Sequence, residues 1–578
     1  MADRDPRETI ADTIEQGKRL VRLGGDKGLS LAERLSARLA RLTWRTPLHG
    51  LRLAGKQPLK LVAVPDDPML GDVTRGQALL AGRLEFHGES LALEGLDLAK
   101  AKLSPRLAEH LHGFAWLRDL STVATRAQGA PIAEVVMQAW LDAFADTVSE
   151  PAWAPDLLGR RLLFWAAHAP LILSSADLAY RARVLTALAR GARHLDRTAD
   201  KAAPGVARIA AWCGVTMAGL LIAGGEPRQK GGEAGLQRAL AAAIYPDGGC
   251  AQRAPLAQAE IIALLAMLRE GYAARRLDPP AFIGETLGAM VPALLGLTMG
   301  DGALSSWQGA APMSAEALAA VVEASGVRAR PLKQARDWGY QRLAAGQTVL
   351  VIDAAPPPVA RLAQGGCAST LAFELSDGAQ RLIVNCGGAR QVIAKVPPAL
   401  AEGLRTTAAH STLVLGDSNS TAIHADGTLG KGVSEVELSR QESEQASRIE
   451  ASHDGYARRF GFRHRRQLLL ASDGKELRGE DMLLPAGRRP KAAATSFALR
   501  FHLAPRVEVS PTSDGLAALL RLPGGALWQF RCRGATLGVE DSLWIDPEGR
   551  PIATQQLVVS GAAPAGGASV SWVLKRAR

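Results

Sequence analysis

The spacing of apolar residues changes character along this chain. Between Ser30 and Arg45 it is helical: Leu31, Leu35, Leu39 and Leu42 share one face, and Arg34, Arg38, Arg41 and Arg45 the other. Ser30-x-x-Glu33 stands at capping-box spacing where that run begins. Such a basic amphipathic helix either packs on its own domain or lies on an anionic membrane surface. Leu61–Val64 and Gly82–Phe86 instead read as short strands, separated by the Pro, Asp and Gly cluster from Pro65 to Asp72.

From residue 130 to 325 the helical period returns. Pro131 suits a first helical position, and Ile132, Val135, Val136, Ala139, Trp140, Ala143 and Phe144 follow at helical steps. Similar segments at 159–168, 174–193, 203–223, 233–244, 256–274 and 279–298 are joined by short connections, which favour antiparallel neighbours. Stacked hairpins in a bundle or an α/α toroid are predicted. After residue 330 the period drops to two, giving candidate strands Thr348–Asp353, Thr370–Leu375, Arg381–Asn385, Ser411–Leu415, Arg463–Leu470, Ser496–Leu503 and Leu527–Arg531. Asp377-Gly378 between two of them is a hairpin signal. Helices first and antiparallel strands second predict two domains meeting at a cleft.

Composition narrows this picture. The apolar stretch Ile209–Ala223 falls short of the roughly 18 residues that read as a membrane span. Met1–Pro6 carries both signs of charge with no apolar region after it, so no export signal is read. The five cysteines are scattered and form no CxxC, so they predict buried thiols, not disulfides or a zinc site. A net charge of +11 predicts a polyanionic partner, and the first sixty residues hold 13 Lys/Arg against 7 Asp/Glu. With aromatics at 5% and no nucleic-acid motif, nucleic acid is not the expected partner. Charge alone does not separate an acidic polysaccharide from a membrane surface.

Four stretches carry a resemblance. They are Trp153-Ala-Pro-Asp with Arg160-Arg161 and Trp165; Tyr245-Pro-Asp247-Gly-Gly-Cys250-Ala-Gln-Arg253-Ala-Pro255; Tyr340 to Asp353 with Leu371–Leu375 and Asn385-Cys386-Gly387; and Thr407-Ala-Ala-His410 with His453-Asp454-Gly455-Tyr456 and His464-Arg465-Arg466. In order and spacing these resemble the heparinase II/III family as found in alphaproteobacteria. The resemblance implies a multidomain α+β chain: an N-terminal (α/α) toroid of helical hairpins followed by an antiparallel β-sandwich. On this reading residues 1–125 form a basic region, 126–328 the toroid and 329–578 the sandwich.

The activity implied is a polysaccharide lyase that cleaves an acidic uronate polymer by β-elimination. That reaction needs a neutraliser at the carboxylate, a base for the C5 proton and an acid for the leaving oxygen, with no cofactor. His410 matches the family's β-domain histidine; the bland reading is a hydrogen-bonded core histidine. Tyr340 and Tyr456 are the candidate phenols, near Arg342 and near Arg458 and Arg459, or else packing tyrosines. Arg253 and Arg405 are candidate carboxylate contacts and Trp307 a sugar-stacking ring. His453, Asp454 and His464, with His410 and Asp417, supply atoms for a structural zinc or calcium, without tight ligand spacing.

Several positions depart from the family pattern. Cys250 stands where His is frequent, Ala254 where Asn or Ser is common, and Gln364 where a His occurs. The tyrosine that follows the Asp247-Gly248 motif is missing, and the chain's two asparagines, Asn385 and Asn419, lie outside the helical half. These departures motivate a second reading, a catalytically degenerate polysaccharide-binding or exopolysaccharide-assembly relative. A third, a glycoside hydrolase, would need paired carboxylates from Glu134, Asp142, Asp247 or Glu260. The resemblance places the protein in the periplasm or cell envelope, while the missing export signal leaves the cytoplasm open.

Overall fold

A computed structural model describes residues 14–21, 44, 46–55, 58, 60–359, 362, 365–388, 396–487 and 494–577. The amphipathic run of Ser30–Arg45, apart from Trp44, and Gln364 lie outside the described residues. The helical half holds α1 (Pro47–Leu53), α2 (Val73–Leu80), α3 (Pro105–Gly113), α4 (Trp116–Val123), α5 (Arg126–Phe144), α6 (Pro155–Ala167) and α7 (Ala169–Ile172). It continues with α8 (Leu178–Thr198), α9 (Val206–Leu221), α10 (Glu226–Ala243), α11 (Pro255–Ala274), α12 (Ala281–Leu295) and α13 (Ala315–Ser325).

Helix α9 explains the apolar stretch that resembled a short membrane span. Every residue from Ile209 to Leu221 is buried, because α6, α8, α10 and α11 all pack around it. Gly159 of α6 and Gly214 of α9 let two backbones meet: a Cβ on Gly159 would stand 2.2 Å from the Ala210 carbonyl oxygen. Among the described residues no helix is long and apolar enough to cross a membrane.

Two sequence expectations are corrected in this half. Helix α5 begins at Arg126 behind a Thr125–Gln128 capping box, so Pro131 sits inside the first turns and not at the start. Leu61–Val64 is not a strand; it runs irregularly against α9, with Val62 N–H donating to the Leu221 carbonyl. The second expected strand does form, as β2 (Arg83–Phe86) paired with β3 (Glu89–Ala92).

The C-terminal half is a two-sheet antiparallel sandwich. One sheet runs β17 (Thr536–Ile545), β18 (Pro551–Ala563), β13 (Thr495–Leu503), β7 (Gln380–Val384), β6 (Phe373–Asp377), β5 (Thr348–Asp353) and β4 (Tyr340–Ala345), with β8 (Leu413–Leu415) also on β13. The other runs β1 (Ile14–Val21), β9 (Glu435–Glu442), β10 (Ala446–His453), β11 (Phe462–Ala471), β12 (Glu476–Pro485), β19 (Ala568–Arg576), β16 (Leu527–Arg533), β15 (Ala517–Arg521) and β14 (Glu508–Pro511). Gly378, at φ +54°, makes the two-residue turn between β6 and β7 that the Asp-Gly pair predicted. The inner faces meet at Phe373 and Phe501 on Trp572, with ring centroids 5.8 and 4.9 Å apart. Strand β1 was not expected: the chain's N-terminal segment adds itself to the edge of the second sheet.

Candidate functional site

The helical half and the sandwich are joined by a buried polar seam centred on Asp353, the last residue of β5. Arg253 follows the turn after α10 with φ +55°, which aims its guanidinium across the boundary. Its Nη2 lies 2.6 Å from Asp353 Oδ1, and Nε and Nη1 donate to the carbonyls of Trp338 and Pro356. Arg253 is 3% exposed and Asp353 fully buried; burial alone would lower the Arg253 pKa, but the charge and hydrogen bond of Asp353 together with Tyr340 and Tyr245 raise it overall. The other carboxylate oxygen of Asp353 accepts from Ser369 Oγ at 2.8 Å. Gln308 bridges Ser369 and the Cys367 backbone.

Three residues proposed for substrate work lie on this seam. The Tyr340 hydroxyl donates to the Arg253 carbonyl at 2.8 Å, and Arg253 sits 4.7 Å from its ring centroid. Burial pushes this phenol well above its ordinary value, so Tyr340 holds its proton. Trp307 is fully buried with its ring nitrogen on Ser305 Oγ, and its ring centroid is 5.5 Å from that of Tyr340. In this arrangement the Tyr340 phenol is sealed, the Trp307 ring has no open face and Arg253 is paired with Asp353. Arg405 likewise donates to the carbonyls of Gly366 and Gly427, holding two loops together.

His410 lies at the rim of the same network. Its Nδ1–H donates to the Thr406 carbonyl at 2.7 Å, which leaves Nε2 as the lone-pair nitrogen. Nε2 makes no hydrogen bond among the described residues. Burial pulls the imidazole down to about 4, so it is neutral at ordinary pH. Neither candidate phenol offers such an acceptor, since Tyr340 and Tyr456 are buried with their protons held.

Tyr456 lies beside Thr407, three residues before His410. It is buried in the sandwich, donates to the Leu413 carbonyl at 2.8 Å, and burial raises its phenol. Like Tyr340, it is a sealed phenol that holds its proton. Beside it runs a closed chain: Gly455 N–H donates to His453 Nδ1, His453 Nε2 faces His464 Nδ1 at 3.3 Å, and His464 Nε2 meets Asp481 at 2.7 Å. Every ring nitrogen is engaged, and Asp454 caps the backbone of Ser434 and Glu435. The expected metal set therefore does not converge, and no group of three or more His, Cys, Asp or Glu fit for a metal occurs among the described residues.

The residues sequence reasoning missed are the acidic ones on the seam. Glu374 is fully buried, accepts from Ser306 N–H and Asn385, and pairs with Arg381 at 3.2 Å. Burial raises its carboxyl to about 7. The available signal was a lone charge inside the apolar run Leu371–Leu375. Asp247 is also structural, accepting from the backbone N–H groups of Asp337 and Trp338. Glu260 and Asp156 flank Arg160, and Asp142 pairs with Arg183 at the surface.

Comparison with known proteins places this geometry. Residues 327–573 match the heparinase II/III-like C-terminal domain. FtsZ-localized protein C of Caulobacter vibrioides is 30% identical over 561 residues, covering 92% of each chain. The chain belongs to the heparinase II/III-like family. The crystal structure of heparinase III matches this heparinase II/III-like fold over 99% of the chain and 94% of its own, at TM-score 0.71 and 14% identity. Heparan sulfate lyase HepC from Pedobacter heparinus matches at TM-score 0.58 and 14% identity, over 94% of this chain and 88% of its own. At those identities the heparinase II/III-like fold, a helical half followed by antiparallel sheets, is what the structures share.

Proposed function

We propose that this protein is a non-cleaving heparinase-type scaffold that works as a binding component at the bacterial division site. The carrying observation is closure of the seam: Arg253, Tyr340 and Trp307 spend their polar atoms on protein partners. β-Elimination needs an ionisable base, an acid and a carboxylate neutraliser presented together to one sugar. Cys250, where the family often has His, adds to this reading; its thiol is buried and pushed up to about 12. The similarity to FtsZ-localized protein C supports the cellular place. Five free, buried thiols suit a reducing compartment.

A second reading, retained cleavage of a uronate polysaccharide by β-elimination, rests on His410 Nε2, an acceptor with no hydrogen bond among the described residues. One experiment decides between them. The purified protein is incubated with a panel of uronate polymers while ultraviolet absorbance of unsaturated ends is followed. In parallel, a fluorescent fusion is imaged in dividing cells. The scaffold reading expects no unsaturated product and a midcell band. Product that disappears with His410→Ala overturns it in favour of the lyase, and a diffuse fusion removes the division-site assignment.

A further inference from the structure

The outward face of the nine-stranded sheet carries a groove of about 630 Å³ that none of the seam chemistry uses. Cross-strand register sets one row of side chains along it: Arg531 on β16 faces Val573 on β19, Val573 faces Arg478 on β12, Arg478 faces Leu469 on β11, and Leu469 faces Arg448 on β10. Arginine and aliphatic residues therefore alternate across five adjacent strands. Arg533 and Lys575 flank the row, so the lining has five cations against two anions, Glu476 and Glu480. The row's arginines pair only with surface carboxylates: Arg448 with Glu450, Arg478 with Glu476, and Arg531 with Asp514. Exposed pairs of this kind hold little energy and exchange readily.

We propose that this groove docks an acidic, extended peptide segment of a partner protein, with carboxylates at every third residue. Successive row arginines are two strands apart, roughly 9.6 Å at ordinary strand spacing. A polyproline II segment returns a side chain to the same edge every three residues, about 9.3 Å on. A β-strand repeats at about 6.8 Å and misses the second arginine by nearly 3 Å. An α-helix repeats its face at about 10.5 Å over seven residues and drifts by nearly 2 Å across the row. Leu469 and Val573 form the apolar floor between the charges, on which prolines between the carboxylates pack. Each arginine takes one carboxylate in its planar fork. The surface is independent of whether the seam is catalytic.

The test is fluorescence anisotropy of the full-length protein with a labelled peptide of repeating Glu-Pro-Pro. Comparators are a peptide of the same composition with its glutamates contiguous, and a uronate oligosaccharide of equal charge. The expected result is salt-sensitive binding of the periodic peptide, about tenfold or more tighter than either comparator. Arg478→Glu combined with Arg531→Glu abolishes it, and so does Arg448→Glu combined with Arg533→Glu. Arg83→Glu, on the separate β2–β3 hairpin, leaves it unchanged. An unaltered thermal midpoint certifies the fold of each variant. Equal binding of the contiguous peptide, tighter binding of the oligosaccharide, or wild-type affinity in both double variants overturns the proposal.

Discussion

Arg253 and Arg478 are the same residue type in opposite settings. Arg253 is buried on the seam with its partner Asp353 wholly buried, and each of its donors is committed to one geometry. Arg478 stands on the outer sheet face with 68% of its side chain exposed, paired to a neighbour two residues away on its own strand. The first is positioned by a polar network that no water can replace; the second is positioned by strand register and held by little else. The motif residue Arg253 is thus part of the framework, whereas Arg478 lies on a surface that no motif marks.

The largest effect that sharpens this contrast is at Arg253. Arg253→Met leaves Asp353 charged and unpaired in the interior, and a loss of about 3–5 kcal/mol is expected. Urea unfolding would show it, and a separation of helical and sandwich transitions would identify the seam as the coupling element. A loss comparable to that at a surface arginine breaks the comparison.

Next comes Glu374. Its folded pKa, about 7, lies above the ordinary carboxylate value, so the folded state binds the extra proton between about pH 4.5 and 7. Its contribution is therefore complete below pH 4.5 and falls as pH rises through 7. Glu374→Gln keeps an acceptor for Ser306 and removes the ionisation. Its stability relative to wild type should rise by on the order of 3 kcal/mol from pH 4.5 to pH 8, read from denaturation midpoints.

His410 gives a smaller effect of opposite sign. Its pKa falls to about 4 on burial, so below pH 6.5 the unfolded state takes up a proton that the folded state refuses. Stability is lost as pH drops from 6.5 towards 4, by roughly 2 kcal/mol at pH 5. A His410→Gln variant should lose that part of the acid sensitivity. The smallest effect is expected on the outer face: Arg478→Ala should change stability by no more than about 0.5 kcal/mol. A larger loss there would show that the outer row is framework as well.

Much of the architecture was legible in the chain. The helical period over residues 130–325 and the change to alternation after 330 correspond to α5–α13 and to the sheets. The Asp377-Gly378 turn and strand β5 were found where the pattern put them. Strands such as β9, β10 and β17 were not, because their outward faces are rich in Glu, Arg and Ser and dilute the apolar signal. Leu61–Val64 looked like a strand because four apolar residues satisfy that pattern, yet among the described residues no strand pairs with it. The seam was half legible: Arg253, Tyr340 and Trp307 were named and do meet, but as packing and ion-pair residues.

What the sequence by itself determined is the set of elements and the family scaffold, since both follow from local periodicity and motif order. What only the tertiary structure decided is which polar side chains are free. Asp353 and Arg253 stand 100 residues apart, so that nothing local shows one neutralising the other. The arginine row spans β10 to β16 and exists only through cross-strand register, which places Arg448 and Arg531 on one line. Burial and partnership are properties of the assembled chain, and they determine whether a histidine, a tyrosine or an arginine does chemistry or holds the fold.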